Sequence, residues 1–504
     1  MQSQSILEDN TTARPTKSIA IVGGGTAGIA VLKTILDIPA QERVGWDFVL
    51  FEQRRDVGGV WLPDPRTPHP PDLPETPLYP TLRTNTPVPS MTYKGVPYSP
   101  STPLYPNHVH VEAYLRNVSL HFGLEQYVRR GHEVVSASWV GDSSKGFWNT
   151  TVRDKNAEST LVRQFDHIVN AAGNYHYPRS PVWEGQKTWL QGSRRRIVHS
   201  IYYRGPEEFR GQRVLIVGSG ASGRDAAIQL LTTASKLYIV IRSENTRDPD
   251  GIPAEVPRYP SISHFSRDAV HFVDGSSVEV DTVLLGTGYH YHIPYLSAGG
   301  SLKIDDAARE WTEETPLTTN LRYIFPLHEH VLSLDAAYPL GALTFVGLPQ
   351  YIANSPSDNA QAIFITALFR NASILPPRAE LLAQSRAREG RLRDGGWDPY
   401  VVGHRLVDGS QYDYQDALIA FLRRTGALPK SDAEYVEAWR REVSDFQYLR
   451  RGWLHVEELG EQEKWLEGVQ GEEEWADLMR RLNAWQREWE ESHNVPFRWD
   501  ADLI

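Results

Sequence analysis

Two stretches of the chain carry the same order of apolar and small residues. Ser18-Ile-Ala-Ile-Val runs into Gly23-Gly-Gly25-Thr-Ala-Gly28 and then into the helix-forming run Ile29–Leu36; Arg213-Val-Leu-Ile-Val runs into Gly218-Ser-Gly220-Ala-Ser-Gly223 and then into Asp225–Leu231. Four consecutive aliphatic positions without polar alternation predict a short strand buried on both faces, as in a parallel sheet. A second pair follows, Phe165-Asp-His-Ile-Val-Asn-Ala-Ala-Gly173 and Val280-Asp-Thr-Val-Leu-Leu-Gly-Thr-Gly288, each a strand opened by Asp and closed by a small-residue turn. One unit is thus written twice, and strands alternating with helices predict an α/β fold of two doubly wound units. We expect one unit over 1–178, resuming at 331–504, with the other inserted at 179–330. From about 376 the pattern becomes charged and helical, a C-terminal extension in which Trp475, Leu478, Leu482, Trp485 and Trp489 form one stripe at spacings of three and four.

Between the repeats, residues 63–106 hold 14 of the 34 prolines, which predicts an extended, semi-rigid excursion, either a surface loop or a segment laid over a ligand. Seven of the 15 tryptophans fall between Trp439 and Trp499 and are read as packing of the helical extension, compatible with a homodimer. The 504 residues carry a net charge of −11, which argues against nucleic acid as a partner. Neither a membrane-length apolar run nor a signal-peptide core is present, and the chain closes on Phe497-Arg-Trp-Asp-Ala-Asp-Leu-Ile504, so a cytoplasmic protein without a membrane anchor is expected. There is no cysteine, which excludes disulfides, thiolate zinc sites, cysteine-held clusters and a Cys nucleophile; no metal site is expected.

A strand, then G-x-G-x-x-G, then a helix has a specific physical use. The first Gly allows the tight turn, the second lets backbone N–H groups approach a pyrophosphate, and the third allows close helix packing, with the helix N-terminus attracting the anion. Gly23, Gly25 and Gly28 take these places in the first unit, and Gly218, Gly220 and Gly223 in the second, making each Rossmann-like. The strands that follow end differently. Trp46–Glu52 ends in an acid 24 residues past Gly28, suited to a ribose diol; Leu237-Tyr-Ile-Val-Ile-Arg242 ends in a guanidinium, suited to a 2′-phosphate. One diol-bearing dinucleotide and one NADPH in a single chain point to FAD plus NADPH. Without a redox-active Cys pair, electrons must leave to a diffusible acceptor such as dioxygen.

These residues resemble the flavin-containing monooxygenases, over nearly everything up to about residue 380. Phe51-Glu52-Gln-Arg-Arg-Asp-Val-Gly58-Gly59-Val60-Trp61 is similar to the family's F-E-x-x-x-x-x-G-G-x-W, Leu82-Arg83-Thr84-Asn85-Thr86-Pro87 to its L-x-T-N-x-P, and Gln361-Ala362 to its Q-A helix; Ala171-Ala172-Gly173 and Thr287-Gly288-Tyr289 resemble its strand-end turns. Its identifying F-x-G-x-x-x-H-x-x-x-[YF] is matched in part by Trp189, Gly192, His199 and Tyr203, with six residues rather than three between Gly and His. By itself His199 reads as a hydrogen-bonded structural residue. The resemblance implies an NADPH-binding domain inserted in a FAD-binding domain. It places Gly59, Val60, Trp61, Thr84, Val134, Gly173 and Gln361 at the FAD, and Ser222, Gly223 and Asp225 at the NADP pyrophosphate, with Ala221 where the family has Asn. Asn85 becomes the candidate catalytic residue, an amide able to donate and accept without titrating. The implied reaction is NADPH-driven formation of a C4a-hydroperoxyflavin, whose distal oxygen passes to the nitrogen or sulfur of a small-molecule amine or thioether. The rivals are a Baeyer–Villiger oxygenase and an uncoupled or non-catalytic flavoprotein.

Overall fold

The computed structural model describes residues 15–241 and 252–495. Strand β1 (Lys17–Val22) leads through the first glycine loop into α1 (Thr26–Asp37), then β2 (Trp46–Glu52), α2 (His108–His121) and β3 (Val128–Arg130). An antiparallel meander follows, β4 (His132–Gly141), β5 (Gly146–Asp154) and β6 (Ser159–Phe165), before β7 (His167–Asn170) returns beside β1. The short α3 (Gln186–Trp189) and β8 (Arg196–His199) open the second unit, with β9 (Arg213–Val217), α4 (Ala221–Leu230), β10 (Lys236–Val240) and β11 (Arg258–Tyr259). A small sheet of β12 (Ile262–Phe265), β13 (Val270–Phe272) and β14 (Ser277–Val278) precedes β15 (Thr282–Leu285). After α5 (Pro294–Ala298) and the small sheet β16 (Lys303–Ile304), β17 (Thr318–Thr319) and β18 (Ile324–Phe325), the chain rejoins the first sheet. It does so through β19 (Leu327–His328), β20 (Leu332–Ser333) and β21 (Leu343–Phe345), and runs on into α6 (Asn354–Arg370).

Seven strands in the order β19-β20-β21-β7-β1-β2-β3 form one sheet, drawn from both sides of the 196–285 segment; five in the order β11-β10-β9-β15-β8 form the other, all its pairs parallel. The central strands are buried on both faces, with Ile19, Ala20 and Ile21 and Val214, Leu215 and Ile216 wholly inaccessible, which is why their sequences lack alternation.

The proline-rich stretch is not a simple surface loop. Its regular structure is one 3-10 turn at Val88–Met91, yet Tyr79, Val88, Tyr93, Leu104 and Tyr105 are core residues. It is a strap packed under the C-terminal helices: Arg440, buried, donates to Pro89 O at 2.9 Å and Thr92 Oγ1 at 2.7 Å, and Arg83 forms a two-pronged ion pair with Glu457. In the last long helix (Glu472–Ser492), Trp475, Leu478 and Leu482 join the same hydrophobic core as α1, while Trp485 and Trp489 close on His455 with ring centres 4.8 and 4.5 Å away. Extra residues between Gly192 and His199 are absorbed in a turn with Arg194 at φ 68°, leaving His199 at the end of β8 and Trp189 buried against Phe265.

Candidate functional site

Each glycine loop leaves its strand against the end of a neighbouring strand. Gly23 sits at φ 108°, and a Cβ there would lie 2.4 Å from Ala171 O; Gly218 sits at φ 110°, and a Cβ there would lie 2.5 Å from Gly286 O. The third glycines repeat the match: a Cβ on Gly28 would come 1.9 Å from Gly23 O, and one on Gly223 2.0 Å from Gly218 O. Side chains at these four places would collide with backbone, so the loops close only with glycine. Helices α1 and α4 begin at Gly25 and Gly220 with no side-chain cap and no acid in the first turn, leaving their N-terminal N–H groups to an outside acceptor.

The first loop is layered. Glu52, buried, accepts from Gly24 N at 2.7 Å and Arg54 N at 2.8 Å; burial pushes its carboxyl pKa up, opposed by these two donors. Gly58 N donates to Gly24 O at 2.8 Å, and Gly59, at φ 54°, packs so that a Cβ would stand 2.8 Å from Gly25 Cα. Sequence reasoning passed over Arg54, a buried guanidinium that binds Gly59 O at 2.7 Å, also reaches Leu62 O, and pairs with Glu75 at 2.8 Å, fixing the Gly59–Trp61 turn on the loop.

The second loop is open. Gly220, Ala221 and Ser222 are exposed, and a Cβ on Gly220 would meet nothing within 4 Å. Arg242 lies outside the described residues. Asp225 does not face solvent alone: it accepts from Tyr79 OH of the strap and from Gln229 Nε2 at 2.7 Å.

The remaining candidates fall at several depths. Asn85 is exposed, whereas its neighbour Thr84 is buried with Oγ1 lacking a hydrogen-bond partner. Gly173 is exposed at φ 72°, with open space where a Cβ would be. Val134 lies in β4 in the same apolar cluster as Val22 and Phe51. Gln361 is fully buried, with both ends of its amide held by protein: Oε1 accepts from Gly347 N at 2.9 Å and Nε2 donates to Tyr414 OH at 2.7 Å. Asp358, another residue not singled out from sequence, is buried on α6 with Oδ1 unpartnered, and burial raises its pKa to about 7. His199 donates from Nε2 to Gly288 O at 3.0 Å while Nδ1 accepts from Ile201 N at 3.1 Å; burial holds it neutral, with a pKa down at about 4. It is a structural link between the end of β8 and the turn that follows β15.

Uncapped helix N-termini at glycine loops closed against backbone, a buried acid at the end of β2 and an unpartnered Thr84 hydroxyl suit two dinucleotides, the equipment of a two-nucleotide oxidoreductase. Residues 16–246 match the family model of flavin-binding monooxygenase-like proteins. The chain is 27% identical over 456 residues to flavin-containing monooxygenase FMO GS-OX-like 2 of Arabidopsis thaliana, spanning 86% of this chain and 88% of that protein. It is 28% identical over 337 residues to senecionine N-oxygenase of Tyria jacobaeae, 66% of each. The solved structure of S-allyl-L-cysteine S-oxygenase from Allium sativum is similar with a TM-score of 0.69 at 26% identity, over 93% of this chain and 99% of that one. Cyclohexanone monooxygenase shares the fold with a TM-score of 0.54 at 14% identity, over 82% of this chain and 98% of that one. The chain is similar to flavin-containing monooxygenases over most of its length, and it is an NADPH-dependent enzyme that uses FAD and NADPH. Among the described residues no helix is long and apolar enough to cross a membrane.

Proposed function

We propose that the enzyme oxygenates a nitrogen or sulfur centre of a small-molecule amine or thioether, with dioxygen as co-substrate. The observation that carries this reading is the pair of matching glycine loops, each closed by backbone contacts that admit no side chain, in a chain without cysteine. Likeness to an N-oxygenase and an S-oxygenase supports the choice of atom. Bound FAD supplies the redox chemistry, taking electrons from NADPH and passing them to dioxygen.

The protein's part is to bind, orient and exclude water. We assign FAD to the unit of 1–178 and 331–504 and NADPH to 179–330. The Gly23–Gly28 turn and the α1 N-terminus hold the first pyrophosphate, and Glu52, with lone pairs beyond those given to Gly24 and Arg54, accepts from the ribose hydroxyls. Gly59, Val60 and Trp61 close over that loop, with Thr84, Val134, Gly173 and Gln361 lining or backing the same cofactor. Gly218, Gly220, Ser222 and Gly223 hold the NADPH pyrophosphate, and Arg242 takes its 2′-phosphate. Asn85 presents an amide where the substrate and the reacting ring meet, orienting without titrating.

The test is product analysis. Protein reconstituted with FAD is supplied with NADPH and, separately, a tertiary amine, a thioether and a cyclic ketone. An N-oxide or S-oxide is expected. Ester from the ketone with no heteroatom oxide, or NADPH oxidation recovered entirely as hydrogen peroxide, refutes the proposal.

A further inference from the structure

The strap makes a contact that neither glycine loop explains. Its segment from Thr76 to Thr81 touches both nucleotide units. At one end Thr76 Oγ1 donates to Val60 O, inside the Gly59–Trp61 turn of the first unit, and Arg204 of the second unit's linker reaches Thr76 O at 3.5 Å. At the other end Tyr79 OH donates to Asp225 Oδ2 on α4, one turn past the second glycine loop. The same oxygen accepts from Gln229 Nε2, and Gln229 Oε1 in turn accepts from Thr81 Oγ1 at 2.9 Å and Tyr203 OH at 3.2 Å. The rings of Tyr79 and Tyr203 meet edge to face at 5.1 Å, and Tyr79 is 8% exposed within the core of the second unit. Burial, and then the neighbouring Asp225 charge, push the Tyr79 pKa up, so its hydroxyl stays a donor throughout the working pH range.

Three chain segments therefore converge on one helix: the strap through Tyr79 and Thr81, the linker through Tyr203, and α4 itself through Asp225 and Gln229. Because the strap is also tied to Val60 and, through Arg83 and Glu457, to the C-terminal helices, it fixes α4 relative to the first glycine loop. We propose that Tyr79 is a positioning residue that clasps the NADPH-binding helix to the FAD unit through Asp225, setting the distance over which hydride passes rather than the affinity for NADPH. The inference rests on the assignment of the two loops given above. A misplacement of the order of 1 Å is enough to lower a transfer rate by up to about 100-fold without removing any contact to the ligand.

Tyr79→Phe keeps the ring and deletes the one hydroxyl. In the FAD-loaded enzyme under anaerobic conditions, we expect the limiting rate of flavin bleaching by NADPH to fall about tenfold, with the NADPH dissociation constant within about twofold and the FAD content unchanged. Gln229→Leu, which removes the bridge between Asp225, Thr81 and Tyr203, should show the same split. Tyr79→Phe combined with Asp225→Ala should slow bleaching no more than the worse single variant, as expected for residues acting as one unit. A second readout does not need cofactor: in the cofactor-free protein, deuterium exchange of the amides of 76–83 and of α4 should rise in Tyr79→Phe while strands β1, β7 and β9 stay as in the wild type. An unchanged limiting rate, a change confined to NADPH affinity, or unaltered exchange in both segments would overturn the proposal. If wild-type flavin were not bleached by NADPH at all, the functional assignment would fail, and the exchange measurement would still decide whether the clasp exists.

Discussion

Asp358 turns burial into a pH dependence that can be measured. Its carboxyl lies on α6, 1% exposed, with Oδ1 unpartnered and 3.5 Å from where a Cβ on Gly347 would be. Burial raises its pKa from 3.8 to about 7. The folded protein therefore holds a proton there that the unfolded chain releases between the two values, so this group's contribution makes stability fall as pH rises through that window. Over 7 − 3.8 = 3.2 units, at about 1.36 kcal/mol each, the full penalty above pH 7 is about 4 kcal/mol. Asp358→Asn keeps the shape and cannot ionise. Urea unfolding of the cofactor-free protein should find it about 4 kcal/mol more stable than wild type near pH 8, with the difference shrinking towards zero near pH 4. A difference that stays constant across that range would refute the reasoning, because it would mean that the native carboxyl titrates as the unfolded one does.

Three other substitutions test separate parts of the molecule. Gly223→Ala would set a Cβ 2.0 Å from Gly218 O, and a backbone shift worth about 1.4 kcal/mol weakens NADPH about tenfold; titration should show this with flavin content intact. Arg242→Ala should raise the KM for NADPH well above any effect on NADH, since only the former carries a 2′-phosphate, as parallel steady-state kinetics will show. Arg440→Met leaves Pro89 O, Thr92 and Glu437 without their buried donor and should cost about 3 kcal/mol in denaturant unfolding, provided the strap is held as described.

How much of this was readable in the sequence follows from the range of the forces involved. The glycine loops were legible because their constraint is local: a strand end, a turn at positive φ and a helix start lie within a dozen residues, and only glycine satisfies the contact of Gly28 with Gly23 O or of Gly223 with Gly218 O. The stripe in the last helix was legible for the same reason, since Trp475, Leu478 and Leu482 follow one helical period. Asp225 shows the limit. Its neighbours Ser222 and Gly223 mark a nucleotide loop, but nothing within that loop announces a tyrosine 146 residues earlier.

The strap was illegible for a related reason. Fourteen prolines tell where regular hydrogen bonding is impossible, not where the chain goes instead. Its path is set by groups far away in sequence that satisfy its backbone and side chains, Arg440 on Pro89 O, Glu457 on Arg83 and Tyr435 O on Lys94 Nζ at 2.7 Å. Those partners all come from the C-terminal extension, whose pattern predicted helices that pack but not the segment they would hold. The two features that sequence left apart are thus one device. A proline-stiffened segment loses little entropy on ordering, so a few buried polar contacts suffice to fix it. Once fixed from behind by the helices, it can hold α4 in front, and this is why the extension belongs to the positioning of the nucleotide units rather than to the surface alone.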